Sequence, residues 1–291
     1  MGDRFALVQR TYTLETVLLF TALAAMLALI GWLVGHWGGV LVALGFAVLT
    51  GRMLAGLSSV AIMRFMGGRL IHPAEAPDLY RTLFVLARRA GLREAPHLYL
   101  LPSSIPNALA TGEGDDTAIG VSRGLVGGLD ARELTGVLAH ELGHIQAGDT
   151  AVLRFAGALV ETTRAVAQVG LALCLVALLL GEAVPLFLPL IFLAAPLAAF
   201  GLQLWLSRRR EFAADATAVA LTGDAGGLAM ALCRLDRYRS RLRALGYGLG
   251  APPSWLSTHP PTAERIERLK ALQPEAFLPP PPRRVLWSWS G

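Results

Sequence analysis

His140-Glu141-Leu142-Gly143-His144 places two histidines four residues apart, with a glutamate beside the first. On an α-helix, four steps of ~100° bring the second histidine within ~40° of the first, so both imidazoles face one way. Aligned like this they can share a metal ion, and the glutamate can reach a water on that ion, which is the equipment of a zinc hydrolase. A catalytic zinc needs a third protein ligand and keeps one position open. The best candidate is Glu211, in Arg210-Glu211-Phe212-Ala213-Ala214-Asp215. Asp215 follows four residues on, so the two carboxylates share a helix face. Glu211 suits the metal, and Asp215 suits the far nitrogen of a ligating histidine. The competing reading pairs both carboxylates with the neighbouring arginines. Glu141 is the expected general base and acid, taking a proton from the attacking water and delivering one to the leaving amine. Asp149 reads as a cap or turn at the end of the histidine helix.

These residues sit in a chain too apolar for an ordinary soluble enzyme. Its 291 residues are 54% hydrophobic and 16% charged, and the mean hydropathy is +0.52. The surplus is concentrated in two blocks. Thr16 to Gly35 is long enough to span ~30 Å of hydrocarbon, and a second run from Gly39 to Leu57 follows a minimal turn at His36-Trp37-Gly38. A signal peptide is the competing reading of the first run, but the run is too long and a second span follows it directly. The other block, Ala165 to Leu206, is broken into two pieces by Gly181-Glu182-Ala183 and by Pro185, Pro189 and Pro196. Membrane helices tolerate such prolines. Four membrane helices are therefore expected, with a buried hairpin in a soluble protein as the alternative for the second block.

Arg4 and Arg10 precede the first span, Arg64 and Arg69 follow the second, Arg154 and Arg164 precede the third, and Arg208, Arg209 and Arg210 follow the fourth. The turns between spans carry no lysine or arginine, so all basic flanks share one face, the expected cytoplasmic side. Both termini and the polar body belong there, and the three consecutive arginines read as contacts to the site or, in preference, as anchors to anionic headgroups. The net charge of +5 comes without aromatic-interleaved basic patches or zinc-knuckle spacings, which argues against nucleic acid as a partner. Cys174 and Cys233 suggest neither a disulfide framework nor a thiolate cluster.

Within the polar body, the spacing predicts a helix over Pro77–Ala90 that stops at Gly91, strands at His97–Leu101 and Thr117–Val121, and a third strand or edge loop at Pro106–Gly112. Asp130 with Glu133 resembles a capping box that opens the histidine helix, whose apolar stripe is Leu134, Leu138, Leu142 and Ile145. Further helices are expected at Arg209–Leu221, Gly227–Arg243 and Pro261–Leu272. The expected division is a membrane hairpin at 1–60, the first catalytic part at 61–164, a second hairpin at 165–206, the second catalytic part at 207–278, and a proline-rich tail at 279–291.

His140 to Asp149, a membrane hairpin, and then Arg210 to Asp215 together resemble the HtpX family of membrane zinc metallopeptidases, gluzincins related more distantly to the CAAX prenyl endopeptidases. Pro106-Asn107-Ala108 and Ser257 to Ile266 match further stretches of that family. The resemblance implies ligand roles for His140, His144 and Glu211, catalysis by Glu141, and work on proteins at the cytoplasmic face of a bacterial inner membrane, commonly in quality control. It also implies that Asn107 lies on an edge segment that pairs with substrate backbone. Leu109 departs from the family, whose members commonly carry an aromatic after the Asn-Ala pair. His259 is a candidate donor to the oxyanion of the tetrahedral intermediate, or else a cap for the helix that follows it.

The expectation is a mainly α integral membrane protein with four transmembrane helices and a cytosolic zincin-like α+β catalytic domain containing a small sheet. It would bind one Zn2+ per chain, act on protein or peptide substrates and sit in a lipid bilayer. A catalytically silent membrane adaptor with a structural metal, or a CAAX-type prenyl-peptide protease, are the alternatives. A structural zinc site usually takes four protein ligands, and only three convincing ones are present.

Overall fold

The computed structural model describes residues 2–244 and 260–277. His259 and the proline-rich tail lie outside them. The first element, α1 (Gly2–Ala55), leaves helical geometry at Gly35 and at His36, where φ is 50°. Around that break the chain folds back on itself. A Cβ on Gly39 would lie 2.0 Å from the carbonyl oxygen of Gly31, whereas eight residues of straight helix span ~12 Å. Glycine at both positions therefore allows a backbone contact that any side chain would prevent.

A short helix α2 (Ser59–Phe65) and strand β1 (Arg69–Leu70) lead into α3 (Pro77–Arg89), β2 (His97–Leu101), β3 (Ala108–Glu113), β4 (Asp116–Ser122) and α4 (Arg123–Gly128). The four strands form a sheet in the order β1-β2-β4-β3, with β2 and β4 parallel and the outer pairs antiparallel. The segment after Pro106 is thus an edge strand. Of these elements β1, α2 and α4 were not expected, being too short to show a periodicity. Helix α5 (Ala131–Gln146) opens on the anticipated capping box: Asp130 accepts from the Glu133 backbone N–H, and Glu133 accepts from that of Asp130, each at 2.9 Å.

Two long helices follow, α6 (Asp149–Leu179) and α7 (Phe187–Thr222), then α8 (Ala225–Ala244) and α9 (Thr262–Leu272). The expected domain boundaries at 164/165 and 206/207 fall inside α6 and α7, which run unbroken through them. The separate helix expected at Arg209–Leu221 is the C-terminal part of α7, because nothing between Pro196 and Thr222 interrupts the hydrogen-bond ladder. Among the described residues, three helices are long and apolar enough to cross a membrane: Leu14–Met53, Asp149–Leu179 and Phe187–Thr222. Where four separate spans were expected there are three helical elements, because the first two runs form one element interrupted only at Gly35 and His36.

Two large cores divide the described residues, beside a small third one of Met63, Tyr99, Leu101 and Ala118. Leu23, Leu27 and Ile30 of α1, Leu159 of α6 and Phe192 and Leu206 of α7 pack together, while Leu18, Val42, Leu179 and Leu197 face outward. An outward apolar surface of this extent suits lipid tails. The second core joins Leu83, Leu98, Ile119, Leu138, Leu142 and Leu228, so that α5 lies between the sheet and the helices α7 and α8.

Candidate metal centre

Helix α5 carries His140 and His144 on one face, as four-residue spacing requires, with their rings edge-to-face at 4.7 Å between centroids. Helix α7 crosses α5 at Gly143, where an added Cβ would lie 3.1 Å from the Ala214 Cα. That close approach sets Glu211 and Asp215, one turn apart on α7, beside the two histidines. The glycine of the His-Glu-Leu-Gly-His segment thus lets Glu211 arrive.

The nitrogens His140 Nε2 and His144 Nε2 are 3.2 Å apart. Glu211 Oε2 is 3.6 Å from the first and Glu211 Oε1 is 3.7 Å from the second. Metal bonds of ~2.0–2.1 Å at tetrahedral angles separate ligand atoms by ~3.3–3.4 Å. The three donors therefore stand close to where one small tetrahedral ion needs them, and their two-nitrogen, one-carboxylate chemistry fits zinc. Among the described residues, these are the three that could hold a metal ion.

Behind each histidine stands an aspartate, and behind each aspartate an arginine. His140 Nδ1 is 3.0 Å from Asp215 Oδ1, and Arg265 of α9 donates to both Asp215 oxygens at 2.8 and 2.6 Å. The Arg265 guanidinium also reaches Glu211 Oε2 at 3.2 Å. His144 Nδ1 is 2.7 Å from Asp149 Oδ2, and Arg210 Nη1 donates to Asp149 Oδ1 at 2.5 Å. In the neutral ring, Nδ1–H donated backward leaves each Nε2 its lone pair for the front of the site. Burial alone would lower the His144 pKa. The Asp149 hydrogen bond and the negative charges of Glu141, Glu211 and Asp149 outweigh burial and bring it up to about 9.

The structure places Asp215 beside His140 Nδ1, and two other readings need correction. Asp149 is the first residue of α6, but it is buried and bonded to His144 rather than serving only as a cap. Arg210 does not reach toward headgroups: it is buried against Asp149, while Arg209 pairs with Glu15 of α1. Arg265 was missed. The available signal was its place four residues before Leu269 on the buried face of α9, where a charge needs a partner.

Asn107, Glu141, His140, Glu211 and Arg265 line one cleft. The Asn107 backbone N–H donates to Ser122 Oγ and its carbonyl accepts from the Ser122 N–H, both at 2.9 Å, which fixes the start of β3 to the end of β4. Arg154 of α6 holds the same strand through Thr111 Oγ1 at 2.8 Å. Edge strand and metal-facing side chains thus border the same opening. His259 lies outside the described residues, next to Pro260, which also lines the cleft.

The model of a family described as peptidase family M48 matches residues 73–273. A protein described as "Protease HtpX homolog" from Acaryochloris marina (strain MBIC 11017) is 39% identical over 281 residues, covering 89% of this chain and 94% of that protein. Another of the same description, from Pelotomaculum thermopropionicum, is 37% identical, covering 89% and 98%. Among solved structures, the crystal structure of S. mikatae Ste24p matches 90% of this chain and 66% of that one, at 20% identity and a TM-score of 0.48.

Proposed function

This chain belongs to peptidase family M48 and is an integral membrane metallopeptidase, and from that premise we propose that His140, His144 and Glu211 hold one zinc ion per chain while Glu141 serves as general base and acid. The observation that carries the ligand set is the 3.2–3.7 Å spacing of its donor atoms. When bound, the ion supplies Lewis acidity toward a peptide carbonyl and lowers the pKa of a neighbouring water. Glu141 then accepts the proton of the attacking water and passes it to the departing amine nitrogen. Asp215 and Asp149 hold the two imidazoles in the tautomer that faces forward. The edge strand after Asn107 pairs with the substrate backbone, which is independent of side chains and suits unfolded or membrane-derived polypeptides. His259 is assigned the role of a donor to the developing oxyanion.

The break at Gly35 and His36 and the close Gly31–Gly39 approach support two crossings by α1, and hence four in all. The basic flanks support a cytoplasmic site in an inner membrane.

The test uses the full chain purified in mild detergent, with unfolded casein as substrate. The expected result is one zinc per chain, cleavage lost on chelation, and recovery on adding zinc back. Fully folded protein without a metal site would overturn the reading.

Proton competition follows from His144. Below about pH 9 the metal-free ring carries the extra proton, which must leave before Nε2 can bind metal. Apparent zinc affinity should therefore rise about tenfold per pH unit from neutrality and level off near that pH. A chelator-competition titration between pH 7 and 9 checks this, and a flat profile would contradict it.

A further inference from the structure

The Asp149 carboxylate bridges the metal centre to the membrane helices. One of its oxygens is 2.7 Å from His144 Nδ1 and the other accepts from Arg210 Nη1 at 2.5 Å. Arg210 continues the chain, since its Nη2 donates to Thr16 Oγ1 at 3.1 Å. Asp149 opens α6, Arg210 lies on α7 and Thr16 is on α1, so each link comes from a different one of the three membrane-type helices. All three side chains are buried: Asp149 is 1% exposed, and Arg210 and Thr16 are each 9% exposed. One residue before each end of the outer link, Arg209 Nε and Nη2 donate to the two carboxylate oxygens of Glu15. The same turn of α7 is thereby joined to the same turn of α1 twice.

The tight connection between α5 and α6 brings Asp149 back to His144. It consists of Ala147 and Gly148, and Gly148 has φ of 65°, a conformation that suits glycine. A carboxylate placed this way accepts the Nδ1 proton and fixes the imidazole plane. A guanidinium fork held at both ends then fixes the carboxylate. The His140–Asp215–Arg265 chain does the same from α7 and α9, on the other side of the site.

We propose that Asp149 and Arg210 are positioning residues for His144, and that Thr16 makes the first membrane helix a working part of the metal centre rather than only an anchor. The inference rests on the ligand set proposed above. An ion pair serving only to hold helices together would leave the geometry at the metal unchanged when it is weakened, which separates the two roles.

The experiment compares wild type with Asp149→Asn and Thr16→Val, full-length in detergent, by zinc titration against a chelator and by the visible absorption of the cobalt-substituted protein. Asp149→Asn should weaken zinc binding about 10- to 100-fold and shift the cobalt bands. Thr16→Val keeps the side-chain shape and removes only the hydroxyl, so it is expected to fold. It should move affinity and spectrum in the same direction by a smaller factor. Wild-type affinity and spectrum in both variants would overturn the proposal, and a normal Thr16→Val beside an altered Asp149→Asn would overturn the part that includes α1. Metal-free wild type is a different result: it would remove the proposed ligand set, and this inference with it.

Discussion

Glu141→Gln should keep the metal and lose turnover, with kcat falling about 10²- to 10⁴-fold. Glu141 follows His140 directly on α5, is buried, and lines the cleft shared by Asn107 and the metal-facing side chains. A step of ~100° from His140 points it away from the metal-ligand face and toward the space a substrate would fill. The glutamine amide matches the carboxylate in shape but cannot take a proton from water or pass one on. The loss corresponds to about 3–5 kcal/mol of barrier. Zinc content should remain one per chain, and single-turnover cleavage of labelled casein would read the chemical step. Wild-type turnover in the variant would remove Glu141 as the base. Loss of zinc along with turnover would instead make it part of the ligand set.

Arg265→Met should destabilise the folded chain strongly. The guanidinium neutralises Asp215 in a two-pronged contact and sits 3.2 Å from Glu211, all of it buried. Burial would lower the arginine pKa, but the Asp215 hydrogen bond and the charges of Asp215, Glu211 and Glu141 raise it, so the residue stays charged at any working pH. Methionine fills much of the same space and leaves Asp215 without its cation, a change that costs about 3–5 kcal/mol at buried pairs. The unfolding midpoint should fall on the order of 10 °C. Helix α9 should loosen as well, although Arg268 over the Phe212 ring at 3.6 Å still holds it to α7. Adding Asp215→Asn to Arg265→Met removes the stranded anion and should recover most of the midpoint. Zinc affinity should be weaker than wild type in the double variant, because an amide is a poorer partner for His140 Nδ1. A single variant that melts within a degree or two of wild type would show that Arg265 is not needed to neutralise the site.

The local features were legible along the chain because their physics is local. Four-residue spacing alone puts His140 and His144 on one face, and Asp130 with Glu133 closes the capping box within a single turn. Continuous apolar runs mark the membrane helices by length alone, and strands β2 and β4 show in their β-rich runs. The His140–Asp215 contact was also within reach, since E-x-x-x-D spacing on a helix is again local.

What the sequence by itself determined, then, is the pair of histidines on one helix face, the glutamate between them, the distant carboxylate proposed as third ligand and the apolar helices that separate them. The tertiary structure alone decided how charge is balanced behind those side chains. Arg265 meets Asp215 from 50 residues away, and Arg210 meets Asp149 from 61 residues away, so neither pairing leaves a periodic signal. Arg210 follows an apolar run, where composition points to headgroups, yet α7 continues past the apolar segment and turns that residue inward against α6. Whether a charge near the end of an apolar helix meets lipid headgroups or a buried carboxylate depends on which face packs against the neighbouring helix. Here that is set by the close crossing of α5 and α7 at Gly143 and Ala214, a contact between segments far apart in the chain.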